Sequence, residues 1–451
     1  MSSRSLPLAA GATFLAMLDA TVANLALPDL HRDLPGTSIS GLTWVITLYA
    51  VFIAALLAPA GRLCDLLGRR TLYRTGVTVF ILASLLCALA PSLSTLLAAR
   101  ALQGAGAAAM VPASLAVLLH DTPAAGRARA IGLWSASAAL AAAVGPALGG
   151  VLVDSLGWRA LFAINVPLGV VLVWSARHLP RGEVGGRLPD LLGTVFLTGG
   201  IGAVVLGMTQ GKPWGWGDPR ILAALGVGTA AIALALWRSA RHPVPALEIS
   251  LWRSRTFAAA NLTSFLYGAA LYPWLLVGVL FLTQIWDYSE LRAGLAMTPG
   301  AVTAAVTAIL MARLATPRTA VLVGAVFMFG TALWAALTLP AEPSFIPFWL
   351  PCGLLIGVGM GALTTGAASA AALSVHPVKF AVATGLNLTA RQVGGAFGVA
   401  VLAALLSVRD PGVSDFVPVY LYCAVVCAAA LAAGLLIRID SVVETKESVP
   451  A

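Results

Sequence analysis

The side chains best suited to chemistry in this chain are few, and their surroundings are apolar. Asp19 lies inside a long hydrophobic run, about 12 residues from one end. The other carboxylates, of which Asp154, Asp190, Asp287 and Glu290 come nearest, fall at the edges of such runs or between them. At 1.5 Å per residue, that depth places Asp19 near the middle of a bilayer. A charge there costs roughly 2.5–3.5 kcal/mol to insert, so an ionisable group in that position is functional by default. A carboxyl withdrawn from water binds a proton more readily, the property a proton carrier needs. The competing reading is a structural acid locked in an ion pair. Two cations share these surroundings. Arg100 and Gln103, at i and i+3, lie on one helix face. Arg100 either pairs with Asp19 or the polar edge of its helix, or snorkels to the nearer interface. Arg391 lies about 11 residues inside another run. Three partners are open to it: an anionic group on a substrate, a side chain across the bundle, or backbone carbonyls.

Such residues need elements to hold them. The chain has 451 residues, 59% hydrophobic and 10% charged, with a mean hydropathy of +0.93; a soluble domain carries about 25% charged residues. Apolar runs lie near 8–28, 42–60, 73–91, 95–118, 128–152, 160–176, 191–209, 220–237, 256–284, 293–312, 319–339, 346–372, 380–407 and 418–437. Runs of about 20 residues span a bilayer as helices, and the ten-residue alternation of a membrane barrel is missing. The expectation is therefore an all-α integral membrane protein with 14 transmembrane helices. Between the runs, 19 Lys or Arg fall on one side and six on the other. By the positive-inside rule both termini are cytoplasmic. The first run carries Asp19 and Asn24 and no convincing small-residue cleavage site, so it reads as a retained span. Polar joints at Arg177–Pro189 and Arg238–Arg255 divide the chain. They suggest an N-terminal six-helix bundle (1–180), an inserted two-helix hairpin with linkers (181–250), a C-terminal six-helix bundle (251–440) and a cytoplasmic tail (441–451). Parallel halves of this kind hold a substrate between them near mid-membrane.

The turn after the second run reads Gly61-Arg62-Leu63-Cys64-Asp65-Leu66-Leu67-Gly68-Arg69-Arg70. Its glycines permit a tight turn and close helix approach, and Asp65 can accept bonds from Arg69 or sit at a helix N-terminus. A charge cluster of this kind can close one face in one conformation and break in another. An incidental acid in an ordinary basic loop is the alternative, and the full spacing argues against it. This turn resembles the major facilitator superfamily signature G-x-L-x-D-x-x-G-R-R/K, which implies a conformational latch.

Further segments resemble the fourteen-span drug:proton antiporter branch of that superfamily. Leu18-Asp19-Ala20-Thr21-Val22-Ala23-Asn24-Leu25-Ala26-Leu27-Pro28 matches its first-span signature. Arg100-Ala101-Leu102-Gln103-Gly104-Ala105-Gly106 is similar to an element whose Arg is linked to proton transfer. Gly132 with Gly145-Pro146-Ala147-Leu148-Gly149-Gly150 looks like the antiporter motif, with Ala141 in place of its middle Gly; that motif marks exporters. Trp158–Pro167 and Gly385–Gly398 are similar to other segments of the branch. In physical terms, small residues allow close packing and Pro146 releases a backbone bond. The resemblance implies two six-helix bundles plus an inserted hairpin. It assigns proton coupling to Asp19 and Arg100. Asn24, Gln103, Asn261, Tyr267, Asn387 and Arg391 are candidates for the cavity lining, with Phe265 and Trp274 as aromatic walls.

Several function classes drop out. The net charge of +9 is dispersed between apolar runs, which argues against a nucleic-acid partner. The one Gly-Lys pair, Gly211-Lys212, precedes Pro213 and lacks the upstream Gly of a phosphate-binding loop. No paired carboxylates or His/Asp cluster share a membrane depth, so enzyme activity is not expected, and no selectivity-filter loop suggests a channel. Cys64, Cys87, Cys352, Cys423 and Cys427 read as free packing thiols, and no metal or other cofactor is expected beyond the proton motive force. The leading expectation is a monomer exporting small amphipathic drugs or antibiotics across the lipid bilayer in exchange for protons, by alternating access. A dedicated metabolite exporter or a proton-coupled importer of the same fold is the alternative. With Lys only at 212, 379 and 446 and abundant Ala and Gly, the composition suggests a GC-rich bacterium and its cytoplasmic membrane.

Overall fold

The computed structural model describes residues 5–33, 37, 39–179, 190–406 and 411–438. The Asn24 and Pro146 side chains, residues 180–189 of the first joint, and the tail 441–451 lie outside the described residues. Among the described residues there is no strand. The helices are α1 (Ser5–Val22), α2 (Leu27–Asp33), α3 (Ile39–Leu67), α4 (Arg69–Ala88), α5 (Leu93–His120), α6 (Arg127–Leu156), α7 (Arg159–Ala163) and α8 (Asn165–Ser175). Then follow α9 (Leu191–Trp214), α10 (Pro219–Ser239), α11 (Arg255–Gln284), α12 (Glu290–Leu314), α13 (Pro317–Thr338), α14 (Leu350–Leu373), α15 (Phe380–Leu405) and α16 (Val413–Leu435). Fourteen helical segments are long and apolar enough to cross a bilayer; α7 and α8 together make one of them, Arg159–His178. Their order matches the apolar runs read from sequence.

Local chemistry sets the helix ends. Ser92, Asp218, Ser254, Ser289 and Thr316 each accept a bond from a free backbone N–H in the first turn that follows, satisfying donors that have no partner inside the helix. Pro219 and Pro317 begin their helices, where a missing N–H costs nothing. Gly68, with φ at 81°, makes the tight turn between α3 and α4. α6 runs unbroken through position 146.

The basic ends gather on one face, as the alternation of charged loops requires. There the Tyr73 hydroxyl donates to the Leu8 carbonyl (2.8 Å) and Arg70 donates to the carbonyls of Leu179 and Arg177 (2.9 and 2.6 Å). The Thr256 hydroxyl reaches the Arg438 carbonyl at 3.1 Å, so α1 begins and α16 ends on this side. On the remote face, Trp158 and Arg159 donate to Asp33 (2.9 and 3.0 Å), and Lys212 donates to the Leu406 carbonyl (3.2 Å). The indole bond from Trp158, with Arg159 beside it, holds the Asp33 carboxyl below its usual range.

Helices α1 and α3–α8 pack on one another, and α11–α16 form a second group. Helix pairs α3 with α15 and α6 with α12 make the main contacts between the groups, with α5–α15 and α6–α14 beside them. Small residues make these contacts close. A Cβ on Gly61 would lie 2.7 Å from the Ala381 carbonyl oxygen, and one on Gly385 would collide with the Leu57 carbonyl. Gly132 presses in the same way on Ala308 and Ala312 of α12. The inserted α9–α10 pair crosses at Gly200 and Gly228. Its ends are tied by Asp190, which accepts two bonds from Arg238 at 2.8 and 2.7 Å. Those bonds hold the Asp190 carboxyl down at about 2. Helix α9 lies against both α3 and α15, at the seam between the groups, while α10 is the least buried span.

Within the second group, Gly268 and Gly394 let α11 and α15 touch backbone to backbone, Gly394 against the Phe265 carbonyl. Gly394→Ala should therefore lower the melting temperature of the purified protein, since overpacking costs about 1–3 kcal/mol. Gly330→Ala, where nothing lies within 4 Å, should leave it unchanged or raise it through better helix propensity. Equal melting temperatures for the two variants would contradict this packing.

Candidate functional site

Asp19 is wholly enclosed. One helix of the first group after another supplies it with a donor. From α5, Arg100 Nη1 donates at 2.6 Å and Gln103 Nε2 at 2.7 Å; from α8, Asn165 Nδ2 donates at 3.0 Å. Ser84 on α4 accepts from Gln103 Nε2 (2.8 Å) and Asn165 Nδ2 (3.4 Å). The same Arg100 nitrogen also donates to Gln103 Oε1 at 2.6 Å. Arg100 has no exposed surface, which settles the open choice for it: it pairs inward and does not snorkel. Its Nε donates to the Val45 carbonyl at 2.9 Å. Its guanidinium lies 4.4 Å from the centre of the Tyr49 ring and 5.5 Å from that of Phe162, a second form of charge compensation. Among the described residues, two polar atoms of the cluster, Arg100 Nη2 and Asn165 Oδ1, have no hydrogen-bond partner.

The depth of the cluster differs from the sequence expectation. Ser84, Arg100 and Asn165 lie about 6–11 Å from the remote ends of their spans at 1.5 Å per residue. Asp19 thus meets its partners in the third of the membrane away from the basic face, not at its middle. Counting residues along α1 alone could not show which helices enclose it.

Beside this cluster is a cavity shared by both groups of helices. Tyr49, Trp134, Thr13 and Met17 line it from the first group, and Tyr272, Thr364, Arg391 and Gln392 from the second. Tyr49 is the partition between cavity and ion pair. One side of it faces the cavity, its ring covers Arg100, and its hydroxyl donates to the Ala16 carbonyl at 3.0 Å. Among the expected lining residues, Arg391 is in place. Gln103 belongs to the buried cluster instead. Asn261 donates within its own helix to Phe257 (2.8 Å), and Asn387 donates to Ala260 at 3.4 Å. Tyr267 stands behind the wall, accepting from Thr364 at 2.7 Å. Trp274 is packed on Tyr420 and Phe265 faces Phe397; neither is among the cavity-lining residues. Polar residues at helix crossings thus bond locally because their helices are close enough to supply carbonyls.

On the basic face a second network joins three segments. Glu248, between α10 and α11, forms an ion pair with Arg62 of α3 (3.1 Å) and accepts from Lys379, just before α15 (3.1 Å), and from the Ser250 hydroxyl (2.7 Å). Asp65 lies 3.9 Å from Arg62. Among the described residues no ion pair joins Asp65 to Arg69, and Arg70 is spent on backbone carbonyls. The charge network at this turn is therefore built on Arg62 and Glu248, with Gly61 providing the close approach and Gly68 the turn. Burial alone would raise the Glu248 carboxyl, but bonds from Ser250 and Lys379 and the charge of Arg62 hold it below its usual value. Glu248 was missed because nothing in its own segment signals a partner; Arg62 and Lys379 are distant in sequence. Asn165, by contrast, stands in the Trp158–Pro167 segment already singled out. In the antiporter-like segment, a Cβ on Gly145 would collide with Thr21 of α1, Gly149 is buried, and a Cβ on Gly150 would meet Leu291 of α12 at an ordinary 3.5 Å.

Residues 9–272 match the family described as Major Facilitator Superfamily. The chain is 32% identical over 405 residues to the methylenomycin A resistance protein of Streptomyces coelicolor, covering 87% of this chain and 83% of that one. It is 36% identical over 402 residues to the puromycin resistance protein pur8 of Streptomyces alboniger (87% and 79%). With the cephamycin export protein CmcT of Amycolatopsis lactamdurans, identity is 35% over 425 residues (92% and 86%). The crystal structure of the human organic anion transporter MFSD10 has the same fold, with a TM-score of 0.67 at 16% identity, over 96% of this chain and 99% of that one.

Two outcomes test this geometry. Arg100→Met strands a buried carboxylate, so it should destabilise the protein by about 3–5 kcal/mol. Adding Asp19→Leu should restore most of the loss in thermal denaturation, and a double variant no more stable than the single one would refute the pairing. At the other network, Glu248→Gln should speed modification of the buried Cys64 at neutral pH, read by peptide mass. Because the folded carboxyl titrates below its usual 4.5, its stabilising contribution is full above that value and is lost as pH falls through the lower folded one. In the wild type, modification by a dithiodipyridine should accelerate only below about pH 4.5. Rates unchanged by both the substitution and acid would rule out the latch.

Proposed function

The chain belongs to the major facilitator superfamily of transporters, and we propose that it exports amphipathic organic compounds in exchange for protons by alternating access. The observation that carries this reading is the enclosed Asp19–Arg100 pair separated from the cavity by a single ring, Tyr49. An ionised Asp19 holds Arg100, Gln103 and Asn165 together. A protonated Asp19 no longer attracts Arg100 and has a hydrogen to donate. The Asn165 Oδ1, which lacks a partner, can accept it once the amide turns. Arg100 then falls back on Val45 and the aromatic faces, and the packing of α1, α5 and α8 relaxes. That relaxation reaches the cavity through Tyr49, whose hydroxyl is anchored on α1 one turn before Asp19.

The two faces alternate by breaking different contacts. With the basic face cytoplasmic, as the 19-to-six distribution implies, the Arg62–Glu248–Lys379 network and the α3–α15 contact close the inner side. Protons then reach Asp19 from outside. One proton moved through 100 mV contributes roughly 2.3 kcal/mol, about a 50-fold gradient of a neutral compound. The segment after α10 takes part in the closure through Glu248, which gives the 181–250 insert a role at the seam. A dedicated exporter of one metabolite is the second reading, favoured by three relatives that each carry the name of a single antibiotic.

Drug susceptibility in a pump-deficient host tests both. The wild type should protect against some compounds, a wide set for the first reading and a narrow one for the second. Asp19→Asn should abolish protection and uphill flux while leaving the protein in the membrane. Uphill transport retained by Asp19→Asn would end the assignment of coupling to this carboxylate.

A further inference from the structure

We propose that the cavity recognises substrates through an anionic group, a carboxylate or an acid of similar charge, bound by Arg391. This deepens the export reading and rests on it for the word substrate. Of the residues lining the cavity, Arg391 alone is charged. It lies at the eleventh step of α15, about 17 Å along the helix and well inside the membrane. Its Nε is buried without a hydrogen-bond partner. Among the described residues no carboxylate comes within ion-pair distance of it.

Arg100 shows what this fold does with a buried cation meant to stay as it is. It receives a carboxylate, a glutamine oxygen, a backbone carbonyl and two aromatic faces. Arg391 receives none of these; it is half-buried, so its guanidinium opens onto the cavity as a cation without an anion among the described residues, and a cation withdrawn from bulk water is best satisfied by an opposite charge. The position is nonetheless rigid. Gly268 allows α11 to press against the Arg391 backbone carbonyl, so the helix cannot turn the side chain away cheaply. The missing anion must come from what enters the cavity. A cationic compound finds no partner there, because Asp19 is occupied by three donors and stands behind Tyr49.

The rest of the wall defines the body of the ligand. Tyr49, Trp134, Tyr272 and Met17 offer flat apolar contact. On the α1 and α6 side, Thr13 and Ser135, each 2% exposed, line this region, and among the described residues their buried hydroxyls have no partner. An acid on an aromatic or otherwise flat frame with a neutral polar group at the far end matches these features. Arg391 fixes the charged end against the second group of helices. The threonine and serine belong to the first group, so a ligand that reaches them from Arg391 bridges the seam that must move.

The experiment uses the full chain in lipid nanodiscs and equilibrium dialysis with 1-naphthoate, 1-naphthamide and 1-naphthylmethylammonium, one ring system in three charge states. Naphthoate should bind about tenfold or more tightly than the amide, and the ammonium least. Arg391→Gln should erase the preference for the acid, and Arg391→Lys should keep part of it. The melting temperature of Arg391→Gln should be unchanged or higher, since a cation without an anion is removed; a structural role would lower it. Equal binding of the amide or ammonium, a preference that survives Arg391→Gln, or no binding of naphthoate would each overturn the proposal. Loss of proton drive in Asp19→Asn is read in a separate flux assay, so failure of the export reading is distinguishable from failure of this one.

Discussion

A carboxylate and a guanidinium, both without exposed surface and 2.6 Å apart, set the terms for the first half of this protein. Removing two charges from water is expensive, and their mutual attraction offsets it only when the remaining hydrogen-bonding groups are also satisfied. That requirement reaches outward. Gln103 and Asn165 must face Asp19, Ser84 must receive them, and Tyr49 and Phe162 must cover the cation. Five helices, α1, α3, α4, α5 and α8, are thereby committed to one arrangement by polar contacts in a protein whose other contacts are mostly apolar. In a bilayer the lipid is as apolar as the helices, so burial of apolar surface gives little specificity. The polar cluster supplies it.

Close backbone contact supplies the rest. Gly61 and Gly385 bring α3 and α15 together, Gly132 brings α6 against α12, and Gly200 and Gly228 join the inserted pair. These contacts lie where the two groups meet or between the two inserted helices. A joint made of small residues can part and reform without leaving large side chains stranded, as the proposed alternation would require. The charged network at Glu248 lies on the same seam. It ties α3, the segment before α15 and the segment after α10 through one carboxylate, so the insert is part of the joint as well as an addition to the surface.

The sequence alone determined the all-helical membrane architecture, the fourteen spans and the segregation of basic residues to one face, and it singled out Asp19, Arg100 and Arg391 as charges set deep in apolar runs. These are properties of single runs: length, hydropathy, and a charge where a charge is costly. It also marked Gly61 and Gly68 correctly, since a turn and a close approach leave a local signature. Tertiary structure decided who meets whom. Asp19 lies away from the middle because its donors come from the remote ends of α5 and α8. Asn261 and Asn387 turned out to bond nearby carbonyls, and Gln103 to serve the ion pair and not the cavity. Glu248 became the centre of a charge network only when two cations more than 100 positions away were folded beside it. Periodicity and composition report each helix's relation to lipid, whereas the pairing of buried polar groups depends on helix packing that no single run encodes.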